Sequence, residues 1–298
     1  MSAVFGVEPG KRYFRGNLHT HTTRSDGGKT PEEAAAWYRE HGYDFVAITD
    51  HGQRLDRQFD GSILVIPGME LGGVDPYFGM YHAVGLNVFG APPQQPVNDL
   101  GAAIRFLSAD GGLVQVCHPY WCGMRSARMH EIEGVYALEV FNTTCETAIA
   151  KGLSSVHWDD VLSTGRRLWG VAVDDTHWHS PDYGGGWVMV QADALDVASL
   201  LGALRAGRFY ASQGPEILEF GVDGDRAYAR TSPARRISFM SNYYNGHCVR
   251  ATDALGTISE AEWDMRPAAW QSISSSYVRL EVDDIQGRRA WSQPIFLS

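Results

Sequence analysis

Gly16-Asn17-Leu18-His19-Thr20-His21 closes the first strand-like run of the chain, and Ser25-Asp26-Gly27 follows it. Side chains alternate along a strand, so His19 and His21 fall on one face. The same spacing returns at Asp175-Thr176-His177. Between the two pairs lie Asp26, His51, Glu70, His82 and His118, each placed where an apolar run hands over to a loop. Residues so far apart in sequence can converge on one pocket. Imidazole with carboxylate is the donor chemistry of a multinuclear metal site.

Working outward, apolar runs at 43–49, 63–66, 81–86, 113–117, 136–141, 168–173 and 187–190 read as buried strands. Their continuity fits parallel strands covered on both faces. Helices fall between several of them. Thr30-Pro31-Glu32-Glu33 opens one with a capping box and proline at the first helical position, and Gly42 stops it. Others span about 98–109, 146–163 with a break, and 196–206, ending near Gly111, Gly165 and Gly207. This alternation predicts an α/β barrel or an open doubly wound sheet. No Gly-X-Gly-X-X-Gly follows the first strand, so a dinucleotide fold has no support. In a barrel, functional groups gather at the C-terminal strand ends. His82 is the exception, because it begins its run.

The 298 residues suit one large domain with a smaller companion. The expected division is 1–209 and 210–298. The second part has short β-like runs at 235–240 and 277–282, with turns at Asp223-Gly224-Asp225 and Gln286-Gly287, and reads as a small antiparallel, sandwich-like β domain. It holds His247 but no ligand constellation. A net charge of -10 argues against nucleic acid as a partner. An anionic small molecule remains compatible, since bound cations reverse the local field. The N-terminal residues Met1-Ser2-Ala3-Val4-Phe5-Gly6-Val7-Glu8 show no leader, and no apolar run is long enough for a membrane span. Cys117, Cys122, Cys145 and Cys248 lack a zinc-ribbon or thioredoxin spacing, which predicts reduced thiols and a cytoplasmic protein.

The motifs Gly16-Asn17-Leu18-His19-Thr20-His21, Ser25-Asp26-Gly27, Ile48-Thr49-Asp50-His51, Gly68-Met69-Glu70, Tyr81-His82-Ala83, His118-Pro119 and Asp175-Thr176-His177 resemble the PHP (polymerase and histidinol phosphatase) superfamily over about 12–180. The resemblance implies a distorted (β/α)7 TIM-like barrel with two or three divalent metals, zinc, manganese or iron. It assigns His19, His21, Glu70 and Asp175 to one metal. Glu70 is shared with a second, alongside His82 and His118. Asp26, His51 and His177 take a third. Finer features are similar to the carbaryl-hydrolase-like branch: 13–19, Glu139-Val140-Phe141-Asn142, 209–215 and 290–295.

Clustered cations supply hydroxide near neutral pH. The expected nucleophile is therefore a metal-bound hydroxide held by Glu70, Asp175, His19 and His21. Three readings follow: a phosphoesterase on a small phosphate mono- or diester, a carboxyl or carbamate ester hydrolase, or a metal-stabilised domain without activity. Expected substrate contacts are Arg24, Arg125 and Arg128 for an anion, and Tyr120, Trp121 and Trp178 for an organic group. Asp50 and Asp174 neighbour ligands and are candidates for orienting the imidazoles. His41, His130 and His157 read as structural, and His179 as exposed. Neither the metal, the substrate nor the oligomeric state is assigned by these residues.

Overall fold

The computed structural model describes residues 3–6, 12–55, 63–93, 97–253, 256–266 and 274–297. Met1, Ser2, Val7 and Glu8 of the leader reading lie outside them. The first part contains β1 (Ala3–Gly6), β2 (Arg12–Asn17), α1 (Pro31–Glu40), β3 (Phe45–Ile48), β4 (Leu64–Asp75), β5 (Gly79–Leu86), α2 (Leu100–Leu107), β6 (Leu113–Val116), α3 (Pro119–Cys122) and α4 (Ser126–Met129). Then follow β7 (Ala137–Asn142), α5 (Thr143–Ile149), α6 (Ser155–Ser163), β8 (Trp169–Val173), β9 (Trp187–Ala192), α7 (Val197–Arg205) and β10 (Phe209–Ser212). The remainder is all β: β11 (Ile217–Asp223), β12 (Arg226–Ala234), β13 (Arg236–Met240), β14 (Gly246–Arg250), β15 (Ile258–Asp264), β16 (Tyr277–Asp283), β17 (Arg289–Ser292) and β18 (Ile295–Phe296).

Local chemistry explains the elements. Thr30 caps α1 by accepting from the Glu33 amide, while Glu33 accepts from the Thr30 amide, and Gly42 ends the turn at φ 77°. Asp99 and Asp196 cap α2 and α7 through their carboxylates. The expected break in 146–163 falls at Ala150 (φ 57°) and separates α5 from α6. Gly111, Gly165 and Gly207 are all left-handed, as the helix stops require. Gly16 pairs with Phe45 across β2 and β3. A Cβ there would sit 2.1 Å from the Phe45 ring, so only glycine lets the strands meet.

The mixed α/β sheet runs β10-β9-β2-β3-β4-β5-β6-β7-β8. β2, β3 and β4 are parallel, as are β6, β7 and β8. β5 corrects the expectation of parallel strands throughout, since it is antiparallel to both β4 and β6. The link Pro76-Tyr77-Phe78 is too short for a parallel crossover and can only make a hairpin. β9 is likewise antiparallel to β2. The sheet bends until its two regions meet: Thr20 and Thr176 form an isolated parallel bridge, and the Asp175 amide donates to the His19 carbonyl at 2.9 Å. β3, β6 and β7 are buried at every position, which is why they read as unbroken apolar runs. Each fully buried Leu, Ile or Phe among them contributes about 1.5–3 kcal/mol.

In the C-terminal part, β14-β13-β16-β17 continues the large sheet through β10, and β1-β11-β12-β15 forms a second sheet. Phe220, Ala229 and Ala261 from one, with Phe239, Leu280 and Val282 from the other, share a buried cluster. Three contacts fasten this part to the first. Buried Arg279 pairs with Asp159 at 2.6 Å, Gln293 bonds both the amide and carbonyl of Gly170 at 2.8 Å, and Trp291 stacks on Phe141 at 6.0 Å. Among the described residues no helix is long and apolar enough to cross a membrane.

Candidate metal centre

The candidate donors project from one rim of the sheet. His19 and His21 leave β2. The Asn17 side chain accepts from the His19 amide at 3.0 Å, and the Trp178 indole donates to the His21 carbonyl at 3.0 Å. Asp50 shapes the next loop by accepting from the Thr22 amide (2.6 Å), the Thr22 hydroxyl (2.7 Å) and Ser25 (2.8 Å), and so places Asp26. Glu70 lies inside β4, not beyond it, because β4 continues to Asp75. His82 stands opposite Gly72 in the β4–β5 ladder. Its place at the start of a run now has a cause: β5 runs antiparallel to β4 and β6, so its N-terminal half lies beside their C-terminal ends. His118 follows β6, and Asp175 and His177 follow β8.

All nine side chains converge around Glu70 and Asp175. Glu70 Oε2 lies 3.3 Å from His19 Nε2, 3.1 Å from His21 Nε2 and 3.0 Å from His51 Nδ1. Its Oε1 lies 2.7 Å from His82 Nδ1 and 3.7 Å from His118 Nε2. Asp175 Oδ1 is 3.1 Å from His19 Nε2 and 3.0 Å from His21 Nε2. Asp26 Oδ2 is 3.5 Å from His51 Nε2 and 3.6 Å from His177 Nε2, and its Oδ1 is 3.6 Å from His21 Nδ1. Side-chain exposure rises from 0% at His19 and His21 to 52% at Asp26, so Asp26 marks a solvent-facing edge of the cluster.

Does the donor set fit cations? Glu70 Oε2 is buried without a hydrogen bond, although three imidazole nitrogens stand within 3.3 Å. An orphaned buried carboxylate oxygen costs several kcal/mol in a protein interior unless something positive meets it. Lone pairs from several directions facing one such atom suit a shared cation. His118 (φ 28°) and Asp175 (φ 56°) are also held in the left-handed region without being glycine. Such conformations cost of order 1–3 kcal/mol each and gather at functional sites. The Thr144 hydroxyl (2.7 Å to the Asp175 carbonyl) and the Cys122 amide (3.1 Å to the His118 carbonyl) brace them.

Charge inside the cluster is strongly coupled. Burial opposes protonation of His19, but Asp175, Glu70 and Glu139 hold its pKa well above 6.5. Burial likewise opposes His21, but the Asp175 and Glu70 carboxylates beside it push it up to about 9. Burial would raise Glu70, yet His19 and His82 hold it well below the usual carboxylate range, and His19 and His21 do the same for Asp175. Burial also disfavours the Asp26 carboxylate, but His51 and His177 lower it. His177 moves down, through burial and the neighbouring His21. Protons on these imidazoles occupy the positions a cation needs, so cation binding must displace them.

A pocket of about 220 Å³ opens over the donors, walled by Trp121, Thr144, Cys145 and Ala148. Of the expected substrate contacts, Trp121 reaches it, edge-on to His118 at 5.0 Å. Tyr120, Arg24, Arg125 and Trp178 do not. Tyr120 points to Lys151 and His157, Arg24 donates to the Arg54 carbonyl at 2.8 Å, Arg125 is exposed before α4, and Trp178 packs against Trp37 and Tyr183. Arg128 lies over Tyr77. Among the described residues, the bonds of Asp50 and Asp174 go to groups other than imidazoles. Asp174 instead accepts from Tyr38, Thr143 and the amides of Gly184, Gly185 and Gly186. His179 is exposed, and His41 stacks on Trp37. Sequence reasoning singled out Glu139 and Asn142 only as part of a branch-like segment and gave them no role: Glu139 holds His19 Nδ1 at 2.7 Å, and Asn142 donates to Asp175 at 3.0 Å. The available signal was a carboxylate in the middle of an otherwise apolar run.

A scan against protein-family models finds no match, and no curated protein matches the chain. Solved structures do. A two-domain protein containing a predicted PHP-like metal-dependent phosphoesterase from Bacteroides vulgatus aligns over 99% of this chain and 98% of its own, at 15% identity and a TM-score of 0.53. A putative metal-dependent phosphoesterase from Bifidobacterium adolescentis covers 56% of this chain and 89% of its own, at 14% identity and a TM-score of 0.42. An amidohydrolase from Chromobacterium violaceum covers 65% of this chain and 96% of its own, at 14% identity and a TM-score of 0.43. The PHP resemblance read in the motifs therefore has a counterpart in fold: along nearly its whole length, the chain is similar to the two-domain, PHP-like protein of Bacteroides vulgatus.

Proposed function

We propose that the chain is a metal-dependent hydrolase of small molecules. The observation that carries the reading is Glu70, one buried carboxylate facing His19, His21, His51, His82 and His118, with one oxygen left without a hydrogen bond. We assign His19, His21, Glu70 and Asp175 to a first cation and Glu70, His82 and His118 to a second. Asp26, His51 and His177 take a third, with His21 Nδ1 beside it. Zinc, manganese and iron all suit mixed nitrogen and oxygen donors. Cations held there lower the pKa of water and offset negative charge on the bond under attack. The protein's own part is to hold the donors at strand ends and within β4 and β5, and to wall the pocket over them with Trp121 and Cys145. We take the bent sheet as the distorted (β/α)7 barrel and the division 1–209 and 210–298 as the domain plan, with β1 crossing to pair with β11 of the second part. The two C-terminal sheets would then be a sandwich. Reduced cysteines agree with a cytoplasmic setting.

A small, anionic phosphate mono- or diester is the first substrate class. The PHP motifs and the phosphoesterase named in the Bacteroides vulgatus protein support it. One observation favours a second class, a carboxyl or carbamate ester. Trp121, Cys145 and Ala148 give the pocket an apolar wall, and its lining among the described residues includes no Arg or Lys. The carbaryl-hydrolase-like features point the same way. Protein loaded with manganese, zinc or iron should be assayed on nitrophenyl phosphate, bis-nitrophenyl phosphate, nitrophenyl acetate and an aryl carbamate. Turnover confined to the phosphates supports the first class, and turnover confined to the others supports the second. No turnover in any loaded form would sink both and leave the metal-stabilised, inactive domain.

A further inference from the structure

We propose that Glu139 is a positioning residue for the metal centre, holding His19 with Nε2 turned inward and tying His118 and Asp175 to the same anchor. The inference rests on the metal-centre reading above. Glu139 lies in β7, a strand buried at every position, and has no exposed surface. A carboxylate there is costly unless fully engaged, whereas an aliphatic residue would fill the same space at no such cost. It is fully engaged. Oε1 takes His19 Nδ1 at 2.7 Å and the Gln115 amide at 3.2 Å. Oε2 accepts from the His118 backbone amide at 2.9 Å and the Asn142 side chain at 2.9 Å. Gln115 is itself oriented by the Tyr136 hydroxyl at 3.1 Å.

Three of these four bonds lead to the centre. The bond to His19 keeps the ring proton on Nδ1 and leaves Nε2 as the donor that faces Glu70 and Asp175. The bond to the His118 amide grips a residue whose backbone stands at φ 28°, so the anchor helps to hold that strained conformation. Asn142 spans Glu139 Oε2 and Asp175 Oδ2 (3.0 Å), while its own oxygen caps α5.

The strand carries an independent mark of this arrangement. Residues 139 and 142 of a regular strand point to opposite faces. Here the ladder with β8 slips between Glu139, opposite Val171, and Phe141, opposite Ala172. The irregularity at Val140 brings Glu139 and Asn142 to one side, where they bond each other. Bulges of this kind re-aim side chains beside functional sites.

Cobalt(II) titration, followed by visible absorption, tests the proposal on wild type, Glu139→Gln and Asp159→Asn. The last disturbs the Arg279–Asp159 pair, which includes none of the candidate donors, and controls for lost stability. Glu139→Gln should keep the fold, weaken cobalt binding by about 10–100-fold and alter the absorption band. Asp159→Asn should lower stability and change neither. Wild-type affinity and band shape in Glu139→Gln would overturn the proposal alone. A wild type that takes up no cobalt would instead bring down the metal-centre reading. If Glu139→Gln does not fold, cobalt-loaded wild type decides. A slowly exchanging, hyperfine-shifted Nδ1 proton on His19 upholds the anchor, and a rapidly exchanging one refutes it.

Discussion

At the scale of single residues, the site hangs on Glu70, whose two oxygens face different imidazoles. Removing the carboxylate removes a donor common to two sets. Glu70→Ala should therefore lower bound metal by the two cations that share it, and His19→Ala by the first, in elemental analysis of protein purified without chelators, and full occupancy in either variant would refute the site. Gly72 offers a finer probe. A Cβ there would come within 2.8 Å of His82 Nε2, and the ring can yield only by swinging away. Gly72→Ala should keep the fold and lower metal stoichiometry, and unchanged stoichiometry would remove His82 from the ligand set. The clustering of candidate donors was legible partly from position, since most sit near the end of an apolar run, and partly from the PHP-like motifs, which alone carried His82. The role of Glu139 was not legible, because its partners are distant: His19 lies 120 positions away and Gln115 lies 24. One charge inside a run says that something meets it but not what.

At the scale of elements, strand positions and helix ends followed from apolar runs, caps and left-handed glycines. Strand direction did not. A buried run has the same composition whether the strand runs up or down, and the parallel reading of 81–86 failed for that reason. The resolving signal was the connection, since Asp75-Pro76-Tyr77-Phe78-Gly79 has the length and residue types of a hairpin loop. The C-terminal strands were legible only where apolar alternation is strong, as in β13 and β16. What fastens β16 to α6 was invisible in sequence. Arg279 is fully buried and paired with Asp159 and Glu281. Replacing it with methionine leaves Asp159 and Glu281 facing an apolar chain. Arg279→Met should cost about 3–5 kcal/mol in a denaturant titration, and a change below the scatter of that measurement would show that the pair does not fasten the two parts.

At the scale of the whole molecule, donor exposure grades from the sheet interior to solvent. His51 is 36% and Asp26 52% exposed, while Glu70 is 1% exposed. Cations held by the outer set exchange with water more readily than those held behind it. Stepwise chelation of fully loaded protein should release metal in two kinetic phases, and Asp26→Ala should abolish the faster one. A single phase in both proteins would contradict the grading. The β4–β5 hairpin carries a further consequence, for the order in which the molecule is built. Glu70 and His82 are only 12 residues apart, so their 2.7 Å meeting is set by ladder register rather than by docking of distant parts. The Asp75 carboxylate pins that register by accepting from the amides of Tyr77 and Phe78. Contacts this local close early in folding, and long-range ones close late. Pulse-labelled hydrogen exchange should find β4–β5 amides protected before those of the β2–β9 ladder. A newborn chain would then hold a two-donor template in place while the remaining ligands were still being gathered around it.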